Sequence, residues 1–215
     1  MALLNLRKRS AESKSLVPAY FTKFRWPRAK FLLIFLALAS LPGANMPARA
    51  QSEALSEYQI KAGFLFNFTK FVAWPPEAFS DPTGPIVLGV VGNDQVASLL
   101  EETVLNKSVN GRAVIVKRLK EGQDLRSCHI LFIGSSQERH SRQMLDNVKG
   151  ASILTVGEAT GFVQSGGVIN FFIEDNKVRL ELNLDAATRA RVKISAKVIA
   201  VARLVTVSVA PVGRS

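Results

Sequence analysis

Ser136 and His140 stand four residues apart, a spacing that brings two side chains together on one face of a helix. A serine beside a histidine is two thirds of a hydrolytic triad. Here no orienting acid, nucleophile elbow or oxyanion-hole motif accompanies the pair, so structural roles lead over hydrolysis. The second histidine, His129, opens the apolar run "HILFIG" and reads as a hydrogen-bonded core residue. Neither histidine has a cysteine partner at ligand spacing, so no metal site is expected. The acid pairs Glu101-Glu102 and Glu174-Asp175 fall on a polar helix face and in a turn, where carboxylates are usually solvated. No catalytic set emerges, and neither enzymatic activity nor a cofactor is expected.

Two short loops carry more. "GND" (Gly92–Asp94) and "GSS" (Gly134–Ser136) each follow an apolar run and open a helical pattern. In an open α/β sheet, strand carboxyl ends and helix N-termini form the usual ligand crevice. Gly92, Asn93, Gly134, Ser135 and Ser136 are therefore the candidate ligand-binding residues, for a nucleotide or an aromatic molecule. Helix capping explains the same loops without a ligand, and Asp94 would repel a phosphate. Neither loop matches a dinucleotide or P-loop fingerprint.

These loops need elements to hold them. "IVLGVVG", "HILFIG" and "ASILTVG" are continuous apolar runs of the kind buried on both faces of a parallel sheet. "RAVIVKRL" follows an Asn110-Gly111 turn and reads as another strand. Between them, "QVASLLEETV" reads as a helix capped by Asn93 or Asp94. "SSQERHSRQMLDNV" reads as one capped by Ser135 or Ser136. The alternation predicts an α/β single-domain layered sandwich with a largely parallel central sheet, a C-terminal β-hairpin and flanking helices.

A turn at Asp175-Asn176 defines the hairpin. It pairs Ile173 with Val178, Phe171 with Leu180 and Ile169 with Leu182 on an apolar face. On the other face it pairs Phe172 with Arg179, Asn170 with Glu181 and Val168 with Asn183, and a one-residue slip would destroy the division. Phe172 is the apolar exception there, with Arg179 placed to cover it by a cation–π contact; both are candidate interaction residues. Farther on, Ile194, Val198, Val201 and Val205 have helical spacing. A break in which Ser195 caps a second helix, with Val192 and Ile194 extended before it, is preferred to one continuous helix.

Near the start of the globular part, "IKAGFLFNFTKFVAWP" concentrates five aromatic residues. Ile60, Phe64, Phe68 and Phe71 share one helical face, with Leu65 and Val72 at its edge, which predicts a core stripe. Phe66 lies nearly opposite, by Gly63 and Lys70, and calls for a second packing surface, from the sheet or a dimer mate; it is the third candidate interaction residue.

Ahead of that stretch, Arg25, Arg28 and Lys30 precede "FLLIFLALASL", and "PGANMPARA" ends in a small-x-small pattern. This is the organisation of a secretory signal, with cleavage expected after Ala50 and no stable membrane insertion afterwards. The expected parts are a leader and its extension over 1–50, a domain over 51–205 and a flexible tail over 206–215. The leader also explains the charge. Of 28 basic and 17 acidic residues, nine and one precede Gln51, which leaves the remainder at a net +3 against +11 overall. Charge therefore gives no case for a nucleic-acid partner. The lone Cys128 excludes an intramolecular disulfide in an oxidising compartment and reads as a buried thiol.

Taken together, "IKAGFLFNFTKFVAWP", "VNGRAVIVKRL", "CHILFIG" and the run from "SILTVGEATGF" through "KISAKV" resemble, in order, the YfiR family of small periplasmic proteins over Tyr58 to Arg203. The resemblance implies a periplasmic, homodimeric repressor that binds the periplasmic sensor part of an inner-membrane diguanylate cyclase. Cyclic-di-GMP and biofilm formation are the implied downstream readout. Two departures stand out. Better-studied relatives carry additional cysteines, and Arg191 stands where relatives often have glycine.

Overall fold

The computed structural model describes residues 48–207, with side chains from Leu55 onward. The expected leader, apart from Ala48–Ala50, and the tail beyond Val207 lie outside the described residues. Helix α1 (Ala48–Phe71) leads through β1 (Val72–Ala73) and the Pro-rich loop to β2 (Ile86–Val91). Next come α2 (Asp94–Val104), β3 (Ser108–Val109), β4 (Arg112–Leu119), β5 (Ile130–Ile133), α3 (Glu138–Asn147) and β6 (Leu154–Gly157). The hairpin β7 (Ile169–Glu174) and β8 (Lys177–Leu182) precedes α4 (Leu184–Arg189), β9 (Lys193–Ile194), α5 (Ala196–Ile199) and β10 (Ala202–Leu204).

The main sheet runs β10-β8-β7-β6-β5-β2-β4-β3. Five adjacent strands, β4-β2-β5-β6-β7, are mutually parallel, so the expected α/β class with a largely parallel sheet holds. The chain starts at β2, goes outward to β4, and returns to β5 on the other side of β2. That reversal places the topological switch point between β2 and β5. β1 and β9 pair separately and antiparallel, tying the end of α1 to the C-terminal region.

Alternation along the strands builds two cores. Ile86, Leu88 and Val90 of β2, with Ile130 and Phe132 of β5, face α1 and α2. Val91, Leu131 and Ile133 face the opposite side, against Met144, Leu145 and Val148 of α3 and its C-terminal end. Phe68 and Phe171 stack with centroids 6.3 Å apart, and Phe132 meets Phe171 at 6.1 Å. Each such fully buried ring contributes roughly 2–3 kcal/mol by removal from water.

The hairpin has the expected register throughout, from Ile169↔Leu182 to Glu174↔Lys177. Asp175 and Asn176 both adopt positive φ, 51° and 57°, the mirror-image turn that matches strand twist. The break at Ser195 also holds: Ser195 is the N-cap of α5, though its hydroxyl bonds no backbone amide there.

Three expectations need correction. The buried face of α1 is Lys61, Ala62, Leu65, Phe66, Phe68 and Thr69, continued by Val72 of β1, while Ile60 is 43 % exposed and Phe64 and Phe71 are only partly buried. The helix packs on both the sheet and α2, so its buried face is wider and rotated from the aromatic stripe. Ser135 and Ser136 form a short 3-10 turn and cap nothing; Gln137 precedes α3 without a side-chain cap. Residues 202–204 form an edge strand parallel to β8 rather than more helix.

Candidate functional site

Gly92, Asn93, Gly134, Ser135 and Ser136 come together at the carboxyl ends of β2 and β5, as their positions predict. They close on one another. The Gly134 N–H donates to the Val91 carbonyl at 2.8 Å, and Ser136 Oγ donates to the Gly92 carbonyl at 2.6 Å. A β-carbon on Gly134 would sit 2.8 Å from the Gly92 carbonyl oxygen, so this glycine serves loop-to-loop contact. Asn93 Oδ1 accepts from the Val96 N–H at 3.0 Å, the capping role expected for it.

Two more donors here are taken by a residue not singled out from the sequence, Glu158, in the loop after β6. Its Oε1 accepts from the Ser135 N–H at 2.7 Å and from Asn93 Nδ2 at 3.4 Å. Its Oε2 meets Lys61 Nζ of α1 at 2.5 Å, and Lys61 also reaches Glu57 Oε1 at 2.5 Å. The Lys61 and Glu158 side chains are 6 % and 5 % exposed. A ligand anion at this crevice would use those donors; the protein's own carboxylate already does.

Burial alone would raise the Glu158 carboxyl, but Lys61, the Ser135 N–H and Asn93 outweigh it and hold the group below the usual glutamate range. Burial alone would lower Lys61, and the two glutamates outweigh it in turn and raise its pKa. Both partners therefore stay ionised near neutral pH. The sequence carries no signal for this contact, because its partners lie 97 residues apart on different elements.

Ser136 and His140 form no dyad. Ser136 is committed to Gly92, and His140 Nδ1 lies 3.8 Å from Glu121 Oε2 on the exposed surface. Among the described residues, no group of three or more His, Cys, Asp and Glu side chains is placed to hold a metal. Cys128 is buried, which pushes its thiol pKa up.

The interaction candidates separate. Phe66 is 8 % exposed inside the main core, with the Lys70 and Lys107 ammoniums 4.4 and 4.9 Å from its ring centroid. The chain itself supplies the second packing surface, leaving this ring unavailable to a partner. Phe172 and Arg179 are cross-strand neighbours as expected. The cation over Phe172 is Arg203 of β10, at 4.5 Å, while Arg179 approaches Glu174 at 3.9 Å. Arg203 also pairs with Glu174 at 2.5 Å. The edge formed by β10 and the hairpin presents Ile173, Val201 and Leu204 at 49, 61 and 53 % exposure.

At the other end of the parallel strands the chemistry differs. Trp74 Nε1 donates to the His129 carbonyl at 3.0 Å, and its ring meets the imidazole edge-on at 6.0 Å. Phe79 stacks on His129 at 4.4 Å, and the Arg112 guanidinium lies 3.8 Å above Phe79. His129 Nδ1 accepts from the Val87 N–H at 3.0 Å, the core hydrogen bond expected of it, so the ring is neutral. Burial pushes His129 down, the backbone at Ala78 offsets part, and Arg112 pushes it farther down. Beside this stack opens a cavity of about 430 Å³, between the end of α1, β1, β9 and the turn before β4. Trp74-Pro75 and Asn110-Gly111 mark it in the sequence, where they read only as a helix stop and a turn.

Two solved structures share partial likeness. An ABC domain in complex with L-Trp from Streptococcus pneumonia aligns with a TM-score of 0.47 at 8 % identity, over 69 % of this chain and 60 % of that one. A conserved domain protein from Vibrio cholerae O1 biovar eltor aligns with a TM-score of 0.42 at 16 % identity, over 56 % of this chain and 54 % of that one. The chain thus spans little more than half the length of either. The YfiR/HmsC-like family description, by contrast, matches residues 58–203, which takes in everything from the middle of α1 to β10. The chain belongs to the YfiR/HmsC-like family.

Proposed function

We propose that this protein is a periplasmic regulator that binds the periplasmic sensor part of an inner-membrane diguanylate cyclase and represses it, lowering cyclic-di-GMP. The family match over residues 58–203 carries this reading. Two structural features support it. The switch-point crevice is occupied by the protein's own Glu158, and β10, paired with β8 on one side, is an apolar edge strand with no strand on its outer side among the described residues. In this reading the cyclase docks along β10 and the hairpin, with Phe172, Arg179 and Arg203 at the contact. Export through a leader cleaved after Ala50 and assembly as a homodimer complete the proposal.

The test is co-purification of the tagged, exported protein with solubilised inner membrane. Recovery of a diguanylate cyclase, lost in a Leu204→Glu variant of unchanged thermal stability, is the expected result. Recovery of no signalling protein, or recovery indifferent to changes along the β10 edge, contradicts the proposal.

A further inference from the structure

A second cavity, of about 380 Å³, opens between the carboxyl end of α3, the start of β6, the turn before β7 and α4. It shares no residue with the cavity beside Trp74 or with the β10 edge. Its size falls in the range of small-molecule sites. Both cores contribute to its floor. Leu145, Val148 and Ile153 come from one, Val168 and Ala186 from the other, and all five are buried. No aromatic side chain lines it, so the apolar wall is aliphatic.

The rim carries two cations, Lys149 and Arg189, and one acid, Asp146, a net of +1. Among the described residues, none of the three forms a salt bridge. Helix carboxyl ends attract cations because their last carbonyls are left over, and here other groups meet that need. Past the end of α3, Arg126 donates to the Asn147 and Lys149 carbonyls at 2.9 and 3.0 Å, and Arg191 to the Gly150 carbonyl at 3.2 Å. At the end of α4, the Ala186, Ala187 and Thr188 carbonyls accept from the N–H groups of Ala190, Val192 and Arg191. Helix capping therefore leaves Lys149 and Arg189 unexplained. Thr155, on the same wall, is 4 % exposed, and its Oγ1 accepts from the Val168 N–H at 3.0 Å. Its hydroxyl proton has no acceptor among the described residues. An unused buried donor on a cavity wall marks a place for an acceptor.

We infer that this cavity binds a short aliphatic monocarboxylate. The carboxylate accepts from the Thr155 hydroxyl and from Lys149 and Arg189, whose long side chains reach inward from the rim. The hydrocarbon chain lies against Val148, Ile153 and Val168. Asp146 restricts the ligand to a single negative charge, in keeping with the net charge of the rim.

Titration of the purified protein with hexanoate, acetate, adipate and 1-hexanol tests this, followed by the amide resonances of Gly150 and Gly166 on the cavity wall. Hexanoate is expected to shift both saturably. It should bind at least about tenfold more tightly than acetate or hexanol, because chain and carboxylate contacts act together. Adipate should bind more weakly than hexanoate, since its second charge meets Asp146. Lys149→Gln and Arg189→Gln, at exposed positions, are each expected to weaken hexanoate about fivefold and leave the melting temperature of the free protein unchanged. Ala190→Leu, which fills the cavity, should abolish binding. No saturable shift of either resonance at about 20 mM hexanoate overturns the inference. So does an equal affinity for acetate or adipate, or an affinity unchanged in both charge variants. If hexanoate fails to bind while the cyclase still co-purifies, this site is refuted and the regulatory reading survives.

Discussion

The two ends of the parallel strands are built for opposite purposes. At the carboxyl ends, where open α/β sheets usually hold ligands, two glycine-containing loops touch and the buried Glu158 of a Glu158–Lys61 pair takes donors from both. At the amino ends, aromatic rings and cations that form no salt bridge among the described residues surround open volume. Strand order alone locates a crevice; the side chain that a neighbouring loop sends into it decides whether a ligand can enter. Here the salt bridge fastens α1 to three strand ends and leaves recognition to other surfaces.

The largest effect that would break this comparison is at the closed end. Glu158→Ala leaves Lys61 buried with only the partly exposed Glu57 as partner, and the expected loss is on the order of 3 kcal/mol in urea unfolding. Replacing both partners, as Lys61→Met with Glu158→Gln, should restore most of it, because a buried charge is no longer stranded. A Glu158→Ala protein as stable as the parent would mean the carboxylate is not a structural plug.

Acid should reveal the two ends in sequence. His129 has a lowered pKa in the fold, so the unfolded chain binds its proton first and stability falls as pH drops below about 6.5. Glu158 also has a lowered pKa. Its contribution is present above about 4.3, the unfolded value, and is lost as pH falls through the lower folded value. Lys61, raised, keeps its contribution below about 10.4 and loses it above, at still higher pH. Burial raises the Cys128 thiol, so the unfolded chain loses that proton first and stability also falls above about 8.5; the plateau should therefore run from about 6.5 to 8.5, with two steps of decline in acid. His129→Asn is expected to remove the first step only.

Smaller effects sharpen the open end. Trp74→Phe keeps the aromatic wall but removes the bond to the His129 carbonyl, with an expected loss of about 1 kcal/mol. The smallest change is at Arg191, which holds a left-handed φ of 55°. Arg191→Gly relieves that strain at the cost of one bond to the Gly150 carbonyl, and a gain of about 0.5 kcal/mol, read as a small rise in melting temperature, is expected.

The legible parts of this fold are those determined within a few residues. The hairpin register follows from alternation around Asp175-Asn176, and the Asn93 cap follows from a polar residue placed before an apolar helical pattern. Arg191, at a position where relatives often have glycine, holds a left-handed φ of 55° that nothing local in its own type announces. The illegible parts depend on distant partners. Lys61 belongs to the buried face of α1 because Glu158 pairs with it, although lysine is a residue type that is seldom buried. Val201 and Val205 continue a helical spacing, but the residues between them pair as a strand, because the open edge of β8 offers hydrogen bonds that a short helix cannot match. The glycine loops were rightly brought together by strand order; only the fold supplies the carboxylate between them.

The regulatory claim is tested most directly by intracellular cyclic-di-GMP in the native organism. Deleting the gene should raise it several-fold, re-expression should restore it, and Leu204→Glu should fail to restore it while accumulating normally in the periplasm. Cyclic-di-GMP unchanged by deletion, with the protein demonstrably present in the parent, would contradict the account.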